Sequence, residues 1–458
     1  MAVEHSADVV VVGMGVGGEA VGGALAQAGL DVVGIEAELV GGECPYWGCI
    51  PSKMMIRAGN LLAEARRVPG MAGQVDGITA DWAPVAHRIR DEATDDWNDQ
   101  VAVDRFTSLG GRFIRGRAQI LGPNRVEVPG QGTYVARRGL VISTGTVPTV
   151  PPIDGLADTP YWTNREAIAA AELPASLIVL GGGAIGLEIA QTYRRFGVEV
   201  SVVEAADRLL PLEEPESSAL ISEVLEGEGI AVHVGAKVTR VRHDGRFHVT
   251  ADGVDEPISA ERLLVATGRR PGLDRATLER IGVDPGSGLQ VDQRLRVTDG
   301  VWAVGDVTTK GAFTHVATYQ AELVVADVLG RDHPGADYRA VPRVTFTDPE
   351  VAAVGLTETQ AREQGVRVIT GTAQVSSSAR GWLHKAGNQG FIKLVVDRDS
   401  DLLVGATSVG PMGGEILSAL AVAVHARVPA TVLEQMIYAY PTFHRGVQDA
   451  LRNLRGQR

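Results

Sequence analysis

The two cysteines of the chain, Cys44 and Cys49, lie close together in the stretch 41–53, which reads GGECPYWGCIPSK. Thiols at this spacing can interchange with a disulfide. Pro51 suits the first turn of a helix that we predict to run on through Ser52–Ala65, and a helix start stabilises a thiolate. An i,i+5 pair is too far apart along a regular helix to bond, so one cysteine is expected in the turn or in a distorted first turn. Two buried structural cysteines are the alternative.

The residues around the cysteines resemble the redox-disulfide motif of the class I pyridine nucleotide-disulfide oxidoreductases, a family that includes dihydrolipoamide dehydrogenase, glutathione reductase and mercuric reductase. The resemblance rests on both glycines, both cysteines at the family spacing, and the tail Ile50–Lys53. Pro45–Trp47 departs from the family, where most members carry smaller residues and an asparagine. The resemblance implies that Cys49 is the flavin-facing thiol, in charge-transfer contact with it, and that Cys44 is the interchange thiol that attacks a substrate.

A glycine-rich turn follows the first predicted strand, Asp8–Val12. Its glycines, in the pattern GxGxxG, are Gly13, Gly15 and Gly18. A helix to about Ala28 and a second strand over Asp31–Ile35 follow, and Glu36 stands at the end of that strand. Glycines allow a pyrophosphate to approach the helix amino end, and Glu36 is placed to accept hydrogen bonds from ribose hydroxyls. This unit predicts a dinucleotide site.

The same strand–turn–helix–strand unit occurs a second time. Gly181 lies 168 positions after Gly13, and Glu204 lies 168 positions after Glu36. The glycines of the second turn are Gly181, Gly183 and Gly186. A repeated unit predicts two dinucleotide sites, one for FAD and one for a nicotinamide. Glu204 favours NADH over NADPH because a carboxylate accepts from a 2′-hydroxyl and repels a 2′-phosphate, whereas the nearby Arg208 weakens that preference.

The resemblance runs from about residue 8 to about residue 451 and implies an α/β fold. We expect two Rossmann-like domains, for FAD and NAD(P), and a C-terminal α+β dimerisation domain. The predicted divisions are an FAD-binding domain at 1–150, an NAD-binding domain at 151–272, a central segment returning to the FAD domain at 273–337, and an interface domain at 338–458. Relatives form homodimers in which each active site borrows residues from the partner chain.

Further site residues follow from the resemblance. The predicted strands Leu140–Ser143 and Leu263–Ala266 each run into a Thr-Gly pair, as at the family's crossings between flavin and nicotinamide domains. Asp306 resembles the aspartate that meets the flavin's ribityl chain. Lys53 and Glu188 match an ion pair near the flavin N5, with a solvated surface pair as the alternative. The other residues expected to border a cofactor are Gly42, Thr144, Gly145, Gly268 and Gly305.

The segment Tyr438–Arg445 departs from the disulfide-reducing relatives, whose histidine and glutamate serve as the base for the interchange thiol. Here Tyr440 and Arg445 hold those positions. Tyrosine has a reference pKa of about 10 and arginine one above about 12, so neither type is a good base at neutral pH. His444 is either a substitute base or a surface histidine. Mercuric reductases carry a tyrosine here that ligates metal, but their carboxyl-terminal cysteine pair is not found in Leu451–Arg458.

Composition restricts the possible partners. The chain has 458 residues, 45% apolar and 22% charged, with a formal net charge of −13. That charge argues against nucleic-acid and anionic-membrane partners. The sequence shows no membrane span, signal peptide or resident metal site, so we expect a cytoplasmic protein.

We therefore expect an NADH-dependent, FAD-containing oxidoreductase that passes electrons through the flavin to a Cys44–Cys49 disulfide. The final acceptor is a small disulfide or thiol-reactive molecule, handled without the usual His–Glu base. One alternative is a reductase of quinones or other electron acceptors, and another is a mercuric-reductase-like metal reductase. A non-catalytic flavoprotein that binds a partner is the third alternative.

Overall fold

The computed structural model describes residues 3–455 and residue 457. These residues form two compact units, each built from separate stretches of the chain. The first unit draws on Met1–Pro51, His87–Thr149 and Arg269–Tyr338, and the second on Ser52–Ala86, Val150–Gly268 and Arg339–Arg458. This division into two units does not test the four predicted domain ranges, which stay predictions. No helix in the described ranges is long and apolar enough to cross a membrane.

The first unit is built on an eight-stranded sheet. Six strands lie side by side in the order Arg296–Thr298, Val301–Ala303, Gly132–Ile142, Glu4–Val12, Val32–Glu36 and Arg112–Arg115. All pairings in this row are parallel except the first, which is antiparallel. The antiparallel hairpin Gln119–Gly122 and Arg125–Val128 pairs with Gly132–Ile142. A separate antiparallel pair joins Thr146–Pro148 to Arg269–Pro271.

Burial on both faces explains the unbroken valine run of the first strand. Val10 and Val12 belong to one buried cluster, whereas Val9 and Val11 belong to another. A parallel strand buried on both faces is apolar at every position, so this run shows no alternation. The helices of this unit are Val16–Gln27, Glu43–Tyr46, the π-helix Arg88–Ala93, Gln100–Ser108, Arg275–Arg280, the 3₁₀ helix Asp306–Thr308 and Thr314–Val328.

The second unit contains three sheets. A parallel sheet has the order Ala231–His233, Glu199–Val203, Ser176–Leu180 and Arg262–Val265. Antiparallel sheets are formed by Val238–His243, Phe247–Ala251 and Ile258–Ala260, and by Pro342–Thr345, Glu350–Gly355, Leu403–Gly410, Phe391–Asp397 and Val368–Gln374. Its helices are Asn164–Ala169, Ala184–Arg195, Pro215–Gly227, Glu358–Glu363, Ala379–His384, Gly413–His425, Ala430–Glu434, the 3₁₀ helix Phe443–Arg445 and Gly446–Leu454. The predicted fold class, α/β with a C-terminal α+β layer, is confirmed.

Two further helices, Cys49–Arg67 and Ala83–His87, each include residues of both units. Several element edges differ from the predicted ones. The helix predicted to run on through Ser52–Ala65 spans Cys49–Arg67, and Pro51 lies in its first turn as expected, where N–H groups need no helical acceptor. The strand predicted from Asp8 begins at Glu4, and the one predicted from Leu140 begins at Gly132, because these two extensions pair with each other.

Candidate active site and cofactor sites

The two cysteines lie on either side of a break between helices. Cys44 is in the one-turn helix Glu43–Tyr46, and Cys49 is the first residue of Cys49–Arg67. Cys44 is half-buried and Cys49 is exposed. The Sγ atom of Cys49 lies 3.5 Å from the Oγ1 atom of Thr314. This arrangement matches the expectation that the two cysteines do not share one regular helix, and it puts Cys49 where the helix dipole favours a thiolate.

The turn before the cysteines contacts the first glycine-rich turn. Gly41 and Gly42 have φ of +104° and +70°, which are values that favour glycine. Gly41 forms an isolated bridge with Gly15, and a Cβ on Gly42 would lie 2.9 Å from the Cα of Gly15. The ring of Pro45 lies over Gly41, where a Cβ would come within 3.0 Å of its Cγ. The redox turn and the first nucleotide turn are therefore packed together.

The first glycine-rich turn leaves no room for a Cβ at Gly13 or Gly18. Gly13 has φ of +89°, and a Cβ on it would lie 2.3 Å from the carbonyl oxygen of Ser143. A Cβ on Gly18 would lie 2.0 Å from the carbonyl oxygen of Gly13. The Met14 N–H donates to Oε2 of Glu36 at 2.7 Å. The close backbone approach fits a dinucleotide pyrophosphate at the start of the helix.

The second turn repeats these contacts at the same offset. Gly181 has φ of +107°, and a Cβ on Gly186 would lie 2.4 Å from the carbonyl oxygen of Gly181. The Gly182 N–H donates to Oε2 of Glu204 at 2.6 Å, as Met14 does to Glu36. Each carboxylate oxygen has two lone pairs, so it can also accept from a ribose hydroxyl. Gly15 and Gly183 are the N-cap residues of the two helices.

One predicted flavin-binding residue of the first unit, Asp306, belongs to a hydrogen-bonded group with Thr146 and Arg269. Asp306 accepts from the Thr146 hydroxyl at 3.3 Å, and burial raises the pKa of this carboxyl. The Nε–H of Arg269 donates to the same hydroxyl at 2.9 Å, and its Nη2 lies 3.5 Å from Oε2 of Glu43. The buried Thr144 hydroxyl has no hydrogen-bond partner among the described residues. That orphaned hydroxyl fits a site completed by a cofactor.

Sequence reasoning missed Thr146 and Arg269. Each directly follows one of the two Thr-Gly pairs. Those pairs indicated where the two residues lie in the chain, but nothing in the sequence indicated that their side chains bond to each other. Gly145, Gly268 and Gly305 all have positive φ, at +60°, +109° and +83°. They therefore hold turns that other residues rarely adopt.

Lys53 and Glu188 form an ion pair within the second unit. Nζ of Lys53 lies 2.8 Å from Oε2 of Glu188 and 4.5 Å from the ring centroid of Phe346. The other carboxylate oxygen of Glu188 accepts from the Phe346 N–H at 2.9 Å. Only 8% of the Glu188 side chain is exposed. The pair is thus anchored and partly buried, unlike the solvated surface pair considered as an alternative.

The segment near the carboxyl end pairs Tyr440 with Arg445. The guanidinium carbon of Arg445 lies 5.2 Å from the Tyr440 ring centroid, and 69% of Tyr440 is exposed. His444 is half-buried in the 3₁₀ helix Phe443–Arg445, with its ring 6.0 Å from that of Tyr438. Within the described residues, no group of three or more His, Cys, Asp or Glu side chains could hold a metal ion.

Two family profiles match the chain. The profile described as pyridine nucleotide-disulphide oxidoreductase matches residues 7–321, and the profile described as its dimerisation domain matches residues 341–451. The chain belongs to the pyridine nucleotide-disulphide oxidoreductase family. The predicted FAD-dependent NAD(P)H oxidoreductase is confirmed at this level, and the dimerisation domain supports the predicted homodimer.

Relatives in this family have several named activities. The chain is 34% identical to a dihydrolipoyl dehydrogenase of Halobacterium salinarum, with 98% of this chain and 96% of the relative covered. It is also 34% identical to a mercuric reductase of Streptomyces lividans, with 95% and 93% covered. The HOCl-induced flavoprotein disulfide reductase RclA from Escherichia coli has a solved structure that matches with a TM-score of 0.83 at 27% identity, covering 97% and 99%.

Proposed function

We propose that this oxidoreductase takes electrons from NADH and delivers them through Cys44 and Cys49 to a small disulfide or other thiol-reactive acceptor. The redox turn carries the proposal, because it presents Cys49 at an exposed helix start and Cys44 just before the break. FAD, when bound, accepts hydride from the reduced nicotinamide and supplies two electrons for the disulfide. We assign FAD to the turn of Gly13 and the nicotinamide to the turn of Gly181.

Each cysteine has one role in the proposed exchange. The thiolate of Cys44 attacks the acceptor disulfide, which forms a mixed disulfide and releases the first thiol. The thiolate of Cys49 then attacks the sulfur of Cys44, which re-forms the Cys44–Cys49 bond and releases the second thiol. The helix start stabilises Cys49 as the thiolate, and the Thr314 hydroxyl lies beside its sulfur at 3.5 Å.

The contacts of Arg208 support NADH rather than NADPH. Its guanidinium donates to the carbonyl oxygen of Glu213 at 3.0 Å, to that of Pro211 at 2.7 Å and to the hydroxyl of Ser218 at 2.7 Å. An arginine held by its own loop is poorly placed to bind a 2′-phosphate. Glu204 therefore remains the charge that selects between the two cofactors.

We also propose that Lys53 and Glu188 lie near the flavin and that the partner subunit completes the active site. Tyr440 is mostly exposed and falls within the range matched by the dimerisation profile, which supports its availability to a partner. We propose that His444 is a surface histidine, and a role as substitute base for Cys44 is the alternative. A cytoplasmic location also stays a prediction.

A metal-ion acceptor is the second candidate. Several relatives are mercuric reductases, and RclA has also been solved as a Cu(II) complex. Thiolates are soft ligands that suit such ions. Because no group of three potential ligands occurs in the described part of the chain, the ion would be a substrate at Cys44 and Cys49 rather than a resident metal.

Anaerobic titration of the holoenzyme with NADH tests the proposed function. Two electrons per subunit should release two alkylatable thiols, identified as Cys44 and Cys49 by mass spectrometry. Cys49→Ser should lack the thiolate–flavin absorption band, whereas Cys44→Ser should show it in the oxidised enzyme. Both variants should retain FAD and some NADH-dependent quinone reduction. If NADH releases no thiols from the wild type, the disulfide route is excluded and the quinone route remains.

A further inference from the structure

We propose that a stacked tryptophan pair, Trp47 and Trp97, is a clamp that sets the dithiol–disulfide equilibrium of Cys44 and Cys49. The inference rests on the proposed function, because it takes these cysteines as the redox pair. Trp47 lies between the two cysteines in the sequence. Its ring stacks on that of Trp97, with centroids 5.3 Å apart and planes 20° from parallel. The stack holds the segment in which this chain departs from the family motif.

The backbone that presents Trp97 is strained. Asp95, Asp96 and Trp97 have φ of +48°, +54° and +56°, in the left-handed region. A bulky residue rarely adopts this conformation, and it persists only where the surroundings enforce it. The Asp96 N–H donates to the carbonyl oxygen of Arg90 at 2.7 Å, and the Trp97 N–H donates to the Thr94 hydroxyl at 3.4 Å. This short segment thus holds the indole ring against Trp47 despite the strain.

The same segment also contacts the chain just before the redox turn. Oδ2 of Asp99 accepts from the buried Val40 N–H at 2.6 Å, and it is paired with Arg115 at 2.5 Å. Residues 94–99 therefore hold the redox motif at two points, before the glycines and between the cysteines. The Nε1 of Trp97 is buried without a hydrogen-bond partner among the described residues. The ring of Trp97, rather than its N–H group, makes the contact.

We expect the stack to affect the equilibrium of thiol–disulfide exchange between the protein and a small dithiol. With dithiothreitol, the protein disulfide gains two electrons and two protons and becomes a dithiol, while dithiothreitol becomes a cyclic disulfide. The equilibrium constant depends on how closely the folded chain confines the two sulfurs to bonding range. A turn fixed at Trp47 restricts the arrangements of Cys44 and Cys49, so it favours the disulfide. Loss of the stack should shift the equilibrium toward the dithiol by about threefold to tenfold.

Redox titration of the holoenzyme against dithiothreitol tests the clamp. Wild type, Trp97→Gly and Trp97→Phe would be equilibrated anaerobically, quenched and alkylated, and the labelled Cys44 and Cys49 counted by mass spectrometry. Glycine suits the left-handed backbone, so Trp97→Gly removes the ring without adding strain. Its equilibrium should move threefold to tenfold, where tenfold corresponds to about 30 mV. Trp97→Phe keeps a stacking ring and should stay within about twofold of wild type.

Several outcomes overturn the inference. An unchanged equilibrium in Trp97→Gly contradicts the clamp, and so does a shift in Trp97→Phe as large as that in Trp97→Gly. If Trp97→Gly fails to retain FAD, Trp47→Leu removes the same stack from the other side, and an unchanged equilibrium there is equally decisive. A wild-type enzyme whose cysteines never cycle refutes the proposed function and the clamp together, and so is distinguishable from failure of the clamp alone.

Discussion

At the scale of single residues, the Glu204 side chain is held in place by backbone N–H groups of two other residues. Its two carboxylate oxygens accept from the N–H groups of Gly182 at 2.6 Å and Ala206 at 2.7 Å. The side chain is therefore oriented before a nicotinamide cofactor binds. We expect higher kcat/KM with NADH than with NADPH. Glu204→Ala should narrow the ratio by about tenfold to a hundredfold, because it removes an ionic hydrogen-bond acceptor and a repulsive charge.

The internal repeat provides a matched control for this prediction. Glu36 has the same contacts in the first unit, with Met14 at 2.7 Å and Glu38 at 2.8 Å. Glu36→Ala should weaken FAD retention and leave the NADH-to-NADPH ratio of kcat/KM near the wild-type value. A wild-type preference for NADPH contradicts the assignment. An equal change of the ratio in both variants would show that the two turns do not have separate cofactors.

At the scale of secondary-structure elements, Asp327 ties the helix Thr314–Val328 to neighbouring strands. Its carboxylate accepts from Arg296 at 2.6 Å, Trp302 at 2.7 Å and Arg294 at 3.0 Å. Burial alone would raise its pKa, but these hydrogen bonds and the charge of Arg296 outweigh burial and lower the pKa to about 2. A carboxyl with a lowered pKa stabilises the folded state above its ordinary value, near pH 4, and loses that effect as pH falls toward 2.

Asp327→Asn should therefore reduce the free energy of unfolding by about 2 kcal/mol at pH 7. The difference from wild type should shrink as the pH is lowered from 4 toward 2. Urea denaturation across this range, followed by tryptophan fluorescence, measures both quantities. Asp244→Asn is the control, since the Asp244 side chain is 55% exposed and should contribute little. A destabilisation of Asp327→Asn that is the same at every pH contradicts the role of its charge.

At the scale of the whole molecule, we propose that the exposed Tyr440 and the half-buried Arg445 stand where other disulfide reductases have a His–Glu base. A well-placed general base contributes about 10²–10⁴-fold, so lipoamide turnover should fall below that of the Halobacterium salinarum relative by a factor in that range. Quinone reduction should be spared, because it bypasses proton transfer to Cys44. Steady-state rates with NADH and each acceptor, across pH, measure the contrast.

Two variants test whether the usual base is missing. Tyr440→His combined with Arg445→Glu should raise lipoamide reduction if the rest of the site is competent. His444→Ala should leave it unchanged, since the structure pairs Tyr440 with Arg445 and turns His444 toward Tyr438. Loss of lipoamide reduction in His444→Ala, with flavin reduction by NADH intact, would identify His444 as the base. Rapid wild-type turnover that persists in His444→Ala would show that the departure has no kinetic consequence.

The sequence by itself determined the features that depend on neighbours along the chain. The GxGxxG turns at Gly13 and Gly181 and their carboxylates follow from local spacing, because a strand, a tight turn and a helix start each need particular residues a few positions apart. The fold class followed from the family resemblance that these motifs carry. Element edges were less predictable. The strands that begin at Glu4 and Gly132 are longer than predicted because their first residues pair with each other. No local sequence pattern indicates pairing between segments so far apart in the chain.

Only the tertiary structure decided the contacts between distant positions. Trp97 is 50 positions after Trp47, and nothing in either local sequence indicates that their rings stack. The same holds for Arg269 beside Thr146, and for Arg208, whose sequence position weakened the predicted preference for NADH and whose loop contacts only the structure shows. Residue type and spacing specify which groups are available for chemistry. Which of them are held, buried or already paired depends on long-range packing, which the folded chain alone reveals.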